Sequence, residues 1–350
     1  MPEGMEPKPE ATGAPDAPGP HVRTAYPAGR LPQLVITGFT FRRAARGALL
    51  LGIVFGLFIY INSAGIAATY PTPESRQLFA QTLGTNPGLH ALYGEPKQID
   101  TFGGYVSWRS SAGFALFGGV WAILITTRLL RGEEEAGRWE LLLAGRTTRR
   151  RGAAGVIAGL AASLAVLYAA TAVISVITGL AQQEGWSAAS GLYLALAATG
   201  SASICMAFAA LASQLLPTRR AAITWAAGAL GAMFLIRALA DTVASLGWLR
   251  WVTPLGWIEI LHPIVGGQPG ALIPWGALVV ILSFLTIVLA GRRDLDSGFL
   301  PSRDTAPART RLLGGHLGLN IRLNRLTLLG WLLGIGVWSA LFASVIKTAA

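Results

Sequence analysis

Residues 154–180 read AGVIAGLAASLAVLYAATAVISVITGL, twenty-seven positions without a single charge. A hydrocarbon core of about 30 Å is crossed by about 20 apolar helical residues, so this stretch alone is long enough to span a bilayer. Similar blocks lie on either side, at 47–67, 107–130, 190–215, 222–244 and 272–290, with a seventh at 326–346. The whole chain of 350 residues is 53% hydrophobic and only 13% charged, with mean hydropathy +0.52. Soluble domains carry about 25% charged residues. The apolar residues come in blocks rather than stripes, which excludes soluble α/β and all-β architectures. The expected fold class is all-α: a polytopic transmembrane helical bundle in a cell membrane, six spans plus the first span of a second repeat.

The net charge of +11 is split into short runs between the blocks, not gathered on the single face that nucleic-acid binding requires. Arg42, Arg43 and Arg46 precede the first span. Arg128, Arg131, Arg138, Arg146 and 149–151 follow the second, Arg219 and Arg220 the fourth, and Arg292, Arg293 and further arginines the sixth. The alternate loops hold only Arg76, Lys97 and Arg250. Lys and Arg mark cytoplasmic loops, so the N-terminus is expected in the cytoplasm.

Residues 1–33 are rich in Pro, Gly and Ala with no apolar run, a composition that cannot offset ordering entropy. Leu34 to Ala45 reads as an interfacial amphipathic segment. The expected division is therefore a disordered tail, 1–33, a six-span unit, 34–325, and residues 326–350 as the opening of a second unit. The last assignment rests on a weak repeat. Arg43 precedes Gly52-Ile53 by nine residues, as Arg325 precedes Gly334-Ile335. That predicts a 6+6 architecture of which this chain is a part.

Two outer stretches are more than turns. Residues 70–101 carry four prolines, and residues 246–270 carry Trp248, Trp251 and Trp257, suited to the headgroup level. They read as an anchor or, more sharply, a gating lid. Within the spans, Cys205 is a small packing residue and Arg109 beside Trp108 is expected to snorkel outward. Arg237 and Asp241 stand four apart on one helical face and form a possible intramembrane pair, structural first and substrate- or proton-handling second. His21, His90, His262 and His316 have no metal-ligand spacing, so no metal site is expected. Glu259 and His262, three apart, suggest a local hydrogen bond.

The segment after the second span, RGEEEAGRWELLLAGRTTRRR, residues 131–151, is the candidate partner-coupling element: Glu133, Glu134, Glu135, Gly137, Arg138, Trp139, Glu140, Leu141, Leu142, Leu143 and Gly145. The residues predict one short helix, with Glu133–Glu135 at its dipole-favoured N-terminus. A Glu134–Arg138 pair, an apolar face of Trp139, Leu142 and Leu143, and a stop at Gly145 complete it. Such a helix docks in a partner's groove or forms a solvated loop.

The pattern G-x-x-E-L-L-L-A-x-x-x-x-R in that segment resembles the coupling segment of type-2 ABC exporter permeases. TPLGW (253–257), RRDLDSGFLPSRDTAPAR (292–309) and GLNIRLNRLTLLGWLLG (318–334) are similar to the actinobacterial polyketide-antibiotic (tetronasin-like) exporter branch. The resemblance covers nearly everything after residue 35; Arg146, where many relatives have proline, and Asp296-Ser297 depart from it. It implies a transport subunit powered by a separate ABC ATPase subunit that holds the ATP and Mg, exporting hydrophobic or amphipathic small molecules. It also implies twelve spans in the full form. A phosphate loop needs a Gly-Lys pair, and none occurs, so no cofactor is expected on this chain and no enzymatic activity of its own. Two other classes stay open: an ion-coupled secondary transporter using Arg237/Asp241, and a membrane-embedded transferase using Glu74, Glu95, Asp100 or Glu259.

Overall fold

The computed structural model describes residues 32–143, 147–182, 184–292 and 315–349, and every regular element among them is helical. Among the described residues six helices are long and apolar enough to cross a membrane. They are α1 (Pro32–Thr69), α4 (Phe102–Thr127), α7 (Arg149–Ala181), α8 (Ala188–Leu215), α9 (Arg219–Thr242) and α11 (Leu272–Ala290). Each overlaps an expected span: α11 has its bounds, α1 begins 15 residues earlier, and the other ends differ by no more than five residues. Short helices α2 (Pro73–Leu83) and α3 (Pro87–Tyr93) fill the loop after α1; α5 (Glu133–Glu135) and α6 (Arg138–Leu143) follow α4. Helix α10 (Pro254–Ile260) precedes α11. The stretch expected as a seventh span lies inside α12 (His316–Ala349), which touches α3.

Helix α8 is the axis of the bundle. In its apolar stretch 78% of residues are buried, against 17% in α11. Its run of Ala197, Ala198, Gly200, Ser201 and Ala202, with Ala209 and Ala210 two turns on, has small side chains, which let neighbouring helices approach closely where lipid offers no hydrophobic drive. Helices α4, α7, α9, α10 and α11 all pack on it. Ser201 Oγ donates to the Phe114 carbonyl at 3.0 Å and Trp275 Nε1 to Ser203 Oγ at 2.8 Å. The outward faces stay apolar: Leu50, Trp225, Ile273 and Val280 are each 61–75% exposed. A band of this kind is untenable in water and fits hydrocarbon.

The expected interfacial segment before the first span is corrected. Leu34 to Ala45 runs unbroken into the span as one helix of 38 residues, about 57 Å at 1.5 Å per residue. The reason is a stripe at every fourth position, Ile36, Thr40, Ala44 and Ala48, all buried. It packs on α7 through paired small-residue motifs, Gly52/Gly56 on α1 and Gly155/Gly159 on α7. A Cβ on Gly159 would stand 2.7 Å from the Thr37 carbonyl oxygen, and one on Gly52 2.7 Å from that of Leu167. Thr37 Oγ1 donates to the Gly155 carbonyl at 3.1 Å and Thr171 Oγ1 to that of Gly52 at 3.3 Å. Gly159→Val is therefore expected to lower stability by about 1–3 kcal/mol, the usual range for an overpacked contact. Thermal unfolding in detergent, with Gly231→Val in an open position as control, checks it.

Candidate functional site

Two polar clusters cap the bundle, one at the end where the arginines gather and one at the end where the tryptophans do. At the arginine end, α4 leaves its last α-turn through a π-helical turn, Arg128–Gly132, and closes with Glu133–Glu135. Gly137 follows at φ +69° with its N–H on the Glu134 carbonyl at 2.9 Å. This is a glycine in the left-handed conformation that ends helices. The single helix expected from Glu133 to Gly145 is thus corrected to two elements. The glutamates end one helix instead of opening another, at the pole of the dipole that disfavours negative charge.

Arginines and a backbone N–H offset that penalty, and they come from three directions. Glu133 receives Arg43 of α1 at 2.7 Å and Arg138 at 2.5 Å. Glu134 pairs with Arg131 at 3.0 Å. Glu135 accepts the backbone N–H of Arg219, first residue of α9, at 2.5 Å. The expected Glu134–Arg138 pair does not form, because the turn at Gly137 takes Arg138 off the helical register. Arg131 is itself 1% exposed and its guanidinium donates through Nε and Nη2 to the Pro217 carbonyl, through Nε at 2.9 Å. One turn of helix thereby ties α1, α4 and the α8–α9 turn together.

Glu133 and Glu134 are buried, as is Trp139, whose indole covers Gly152 so closely that a Cβ there would meet it at 2.7 Å. Glu135, Arg138 and Glu140 are exposed and Gly137 is partly so. Leu141, Leu142 and Leu143 complete α6 in backbone; their side chains, and Gly145 altogether, lie outside the described residues.

At the tryptophan end the Arg237–Asp241 pair forms, at 3.2 Å, in the last turns of α9, and it is part of a larger cluster. Arg237 Nη1 also meets Glu259 of α10 at 3.2 Å, while Nη2 donates to the carbonyls of Ala91 and Leu92 in α3 at 3.0 and 2.9 Å. Arg250, in the 3₁₀ turn Ala244–Trp251, donates to Asp241 at 2.7 Å and to Glu95 at 2.6 Å. Glu95 returns its backbone N–H to Glu259 at 2.9 Å. Gly94, at φ +94°, has Glu259 and Arg237 packed where any side chain would stand. Trp108 Nε1 donates to its carbonyl at 2.8 Å. Arg109 lies 4.3 Å over the Tyr93 ring, so it is held by the loop rather than reaching freely outward.

Under this cluster lies a cavity of about 60 Å³ between α4, α8 and α10. His262 lines it, its pKa pushed down to about 4 by burial first and the Lys97 charge second. Tyr93, also in the wall, is raised by burial, against the opposing pull of Arg109. Arg250 is raised too: burial, the largest influence, acts downward, and the hydrogen bond and charge of Asp241 outweigh it together with Glu259 and Glu95. Among the described residues no three His, Cys, Asp or Glu side chains gather as a metal site would require.

A second buried arginine, Arg76, donates to the Asp100 and Pro71 carbonyls at 3.0 and 3.2 Å and pairs with Glu184 beyond α7. The sequence shows Arg76, Arg250, Glu95 and Glu259 only as scattered loop charges. Their charged partners lie 9 to 155 residues away, a separation at which spacing carries no signal.

A small-residue bundle with outward apolar walls and polar caps at both ends is a multi-pass membrane protein in form. Residues 38–291 match the family described as the C-terminal domain of the multidrug efflux system permease Rv1217c. That is well over half of the chain, and the chain belongs to this family. It is similar to the multidrug efflux system permease protein Rv1217c of Mycobacterium tuberculosis (strain ATCC 25618 / H37Rv). Identity is 32% over 291 residues, covering 82% of this chain and 50% of the relative. The chain therefore spans about half the length of the curated relative it matches.

Proposed function

We propose that this chain is the membrane-spanning subunit of an ATP-driven exporter, worked from the cytoplasmic side by a separate ABC ATPase that carries the ATP and Mg. The arginine end faces the cytoplasm of a plasma membrane on this reading, and α5–α6 is the surface the ATPase pushes. The observation that carries it is the acidic turn Glu133–Glu135. It stands beside exposed Arg138 and Glu140 of α6, while Glu133 grips Arg43 of α1, Glu134 grips Arg131, and Glu135 accepts the first backbone N–H of α9. A purely solvated loop has no use for that second set of contacts. The relative's description as a multidrug efflux permease supports an exported cargo of hydrophobic or amphipathic compounds. The motifs at 253–257, 292–309 and 318–334 narrow it to antibiotic-like polyketides. Residues 326–350 then open a second unit, giving the 6+6 form. Arg237/Asp241 lies at the end of α9, with both charges matched, which suits a structural cluster better than the midplane titrating site an ion-coupled transporter needs.

The test is co-purification with the ATPase encoded beside this chain. The variant Glu140→Lys alters one exposed side chain outside those contacts and is expected to cut partner capture at least tenfold, about 1.4 kcal/mol, with insertion and melting unchanged. Full capture and full drug export by that variant would overturn the docking surface. Export by the purified chain alone in liposomes would overturn the ATP-driven reading altogether.

A further inference from the structure

We propose that the cavity beneath the Arg237 cluster is a ligand chamber for an uncharged aromatic compound bearing a hydrogen-bond-accepting oxygen, and that the cluster is its lid. The proposal rests on the permease reading above and assigns it a place and a chemical class. The walls are apolar, from Phe114, Leu194, Ala198, Leu255 and Ile258, with Trp108 at one side. The charges at the roof are already matched to one another: both Glu259 oxygens are engaged, one by Arg237 and one by the Glu95 N–H, and Arg250 bridges Asp241 and Glu95. A charged guest would have to compete with those pairs, whereas an uncharged one leaves them intact.

His262 offers a polar group in the wall that can meet a guest. The His262 ring has no hydrogen bond among the described residues, and with its proton affinity lowered it stands neutral, one nitrogen a donor.

The lid has the features of a two-state element. Buried ion pairs stabilise little relative to apolar packing, and their best-attested use is to specify a state or act as a switch. Both loops that meet there hold non-glycine residues in the left-handed region, Gln98 at φ +48° and His262 at φ +33°, a strain that collects at ligand clamps and switches. Ligand pockets for drug-sized molecules measure about 300–1,000 Å³, so the cavity of about 60 Å³ is the closed form. Opening requires α3 and α10 to part, which means breaking the Glu95 N–H bond to Glu259, the Arg250–Glu95 pair, and one side of the Arg237 bridge between Glu259 and the Ala91 and Leu92 carbonyls.

Cys205 is the sole cysteine and is buried, so a Cys205→Ala background makes thiol labelling clean. Ala198→Cys in that background changes one atom in the chamber wall. The full complex with its ATPase in vesicles is treated with a membrane-impermeant thiol reagent from the lid side. The introduced thiol is expected to be inert at rest and to react at least tenfold faster during ATP turnover, or at rest when Arg250→Gln is added. Nile red, neutral and carbonyl-bearing, is expected to slow that labelling at least fivefold, and ethidium or fluorescein to leave it unchanged. His262→Phe should abolish the Nile red protection without changing the labelling itself. A resting rate equal to that of Val243→Cys, an exposed control, overturns the lid. No labelling during turnover overturns the chamber, and equal protection by ethidium overturns the ligand class. ATP-dependent drug export by the parent complex is measured in the same vesicles: its absence refutes the permease reading, its presence beside an inert thiol refutes the chamber alone.

Discussion

Arg237→Met is expected to be the most destabilising single substitution at the tryptophan end, lowering stability by about 3–5 kcal/mol, the range for breaking a buried pair from one side. Methionine nearly matches the volume, so the loss is electrostatic. Asp241 and Glu259, whose side chains are 0% and 7% exposed, lose the cation they share, and the carbonyls of Ala91 and Leu92 lose their donor. Arg250 keeps its grip on Asp241 at 2.7 Å, so Glu259 is the group left without its arginine, holding the Glu95 backbone N–H. The double variant Arg237→Met/Glu259→Gln should then recover part of the loss, because the stranded charge goes with its partner. Arg237→Lys should fall between, since one ammonium cannot reproduce a fork reaching two carboxylates and two carbonyls. Thermal unfolding in detergent reads all three. A melting point for Arg237→Met indistinguishable from wild type would show that the cluster does not hold the lid.

The spans were legible because the bilayer imposes a length and a composition on them, and those survive in any unbroken apolar run such as 154–180. The pair Arg237–Asp241 was legible for the same kind of reason: four residues on one helix is a local rule. What escaped was everything set by tertiary contact. Residues 34–45 score as amphipathic whether their apolar stripe meets lipid or another helix, and only the glycines of α7, placed by the fold, decide that Ile36 and Thr40 bury there. The acidic turn misled for a sharper reason. Three glutamates signal a helix start by the dipole rule; here Arg43, 90 residues away, overrides the rule. Glu259, the hub of the other cluster, had only a histidine three residues on to speak for it; the local bond forms in the backbone, His262 N–H to the Glu259 carbonyl at 3.1 Å, while the carboxylate's partners lie in other elements.

The acidic turn makes the second strong prediction, and it separates transmission from mere support. On the proposed reading, force applied to α6 reaches α9 through Arg131, which holds the Pro217 carbonyl and Glu134 at once. Arg131→Met removes that link while leaving Glu135, Arg138 and Glu140 on the surface for the ATPase to find. The expected outcome is an assembled complex that hydrolyses ATP within about twofold of wild type but exports at least tenfold less drug per ATP. Arg43→Met should weaken coupling less, because Glu133 retains Arg138 at 2.5 Å. A role confined to stability predicts a different pattern: melting, partner capture and ATP hydrolysis would all decline together, with drug moved per ATP unchanged in whatever complex survives. The π turn beside it bears on the choice. Such turns cost helix stability and concentrate at functional sites, and this one, Arg128–Gly132, lies between a span packed on α8 and the turn that binds α1 and α9. A rigid α-helix there would move the acidic turn only with the whole span; a π turn lets Glu133–Glu135 swing about it. Unchanged export per ATP in Arg131→Met would mean that the movement takes another route through the bundle.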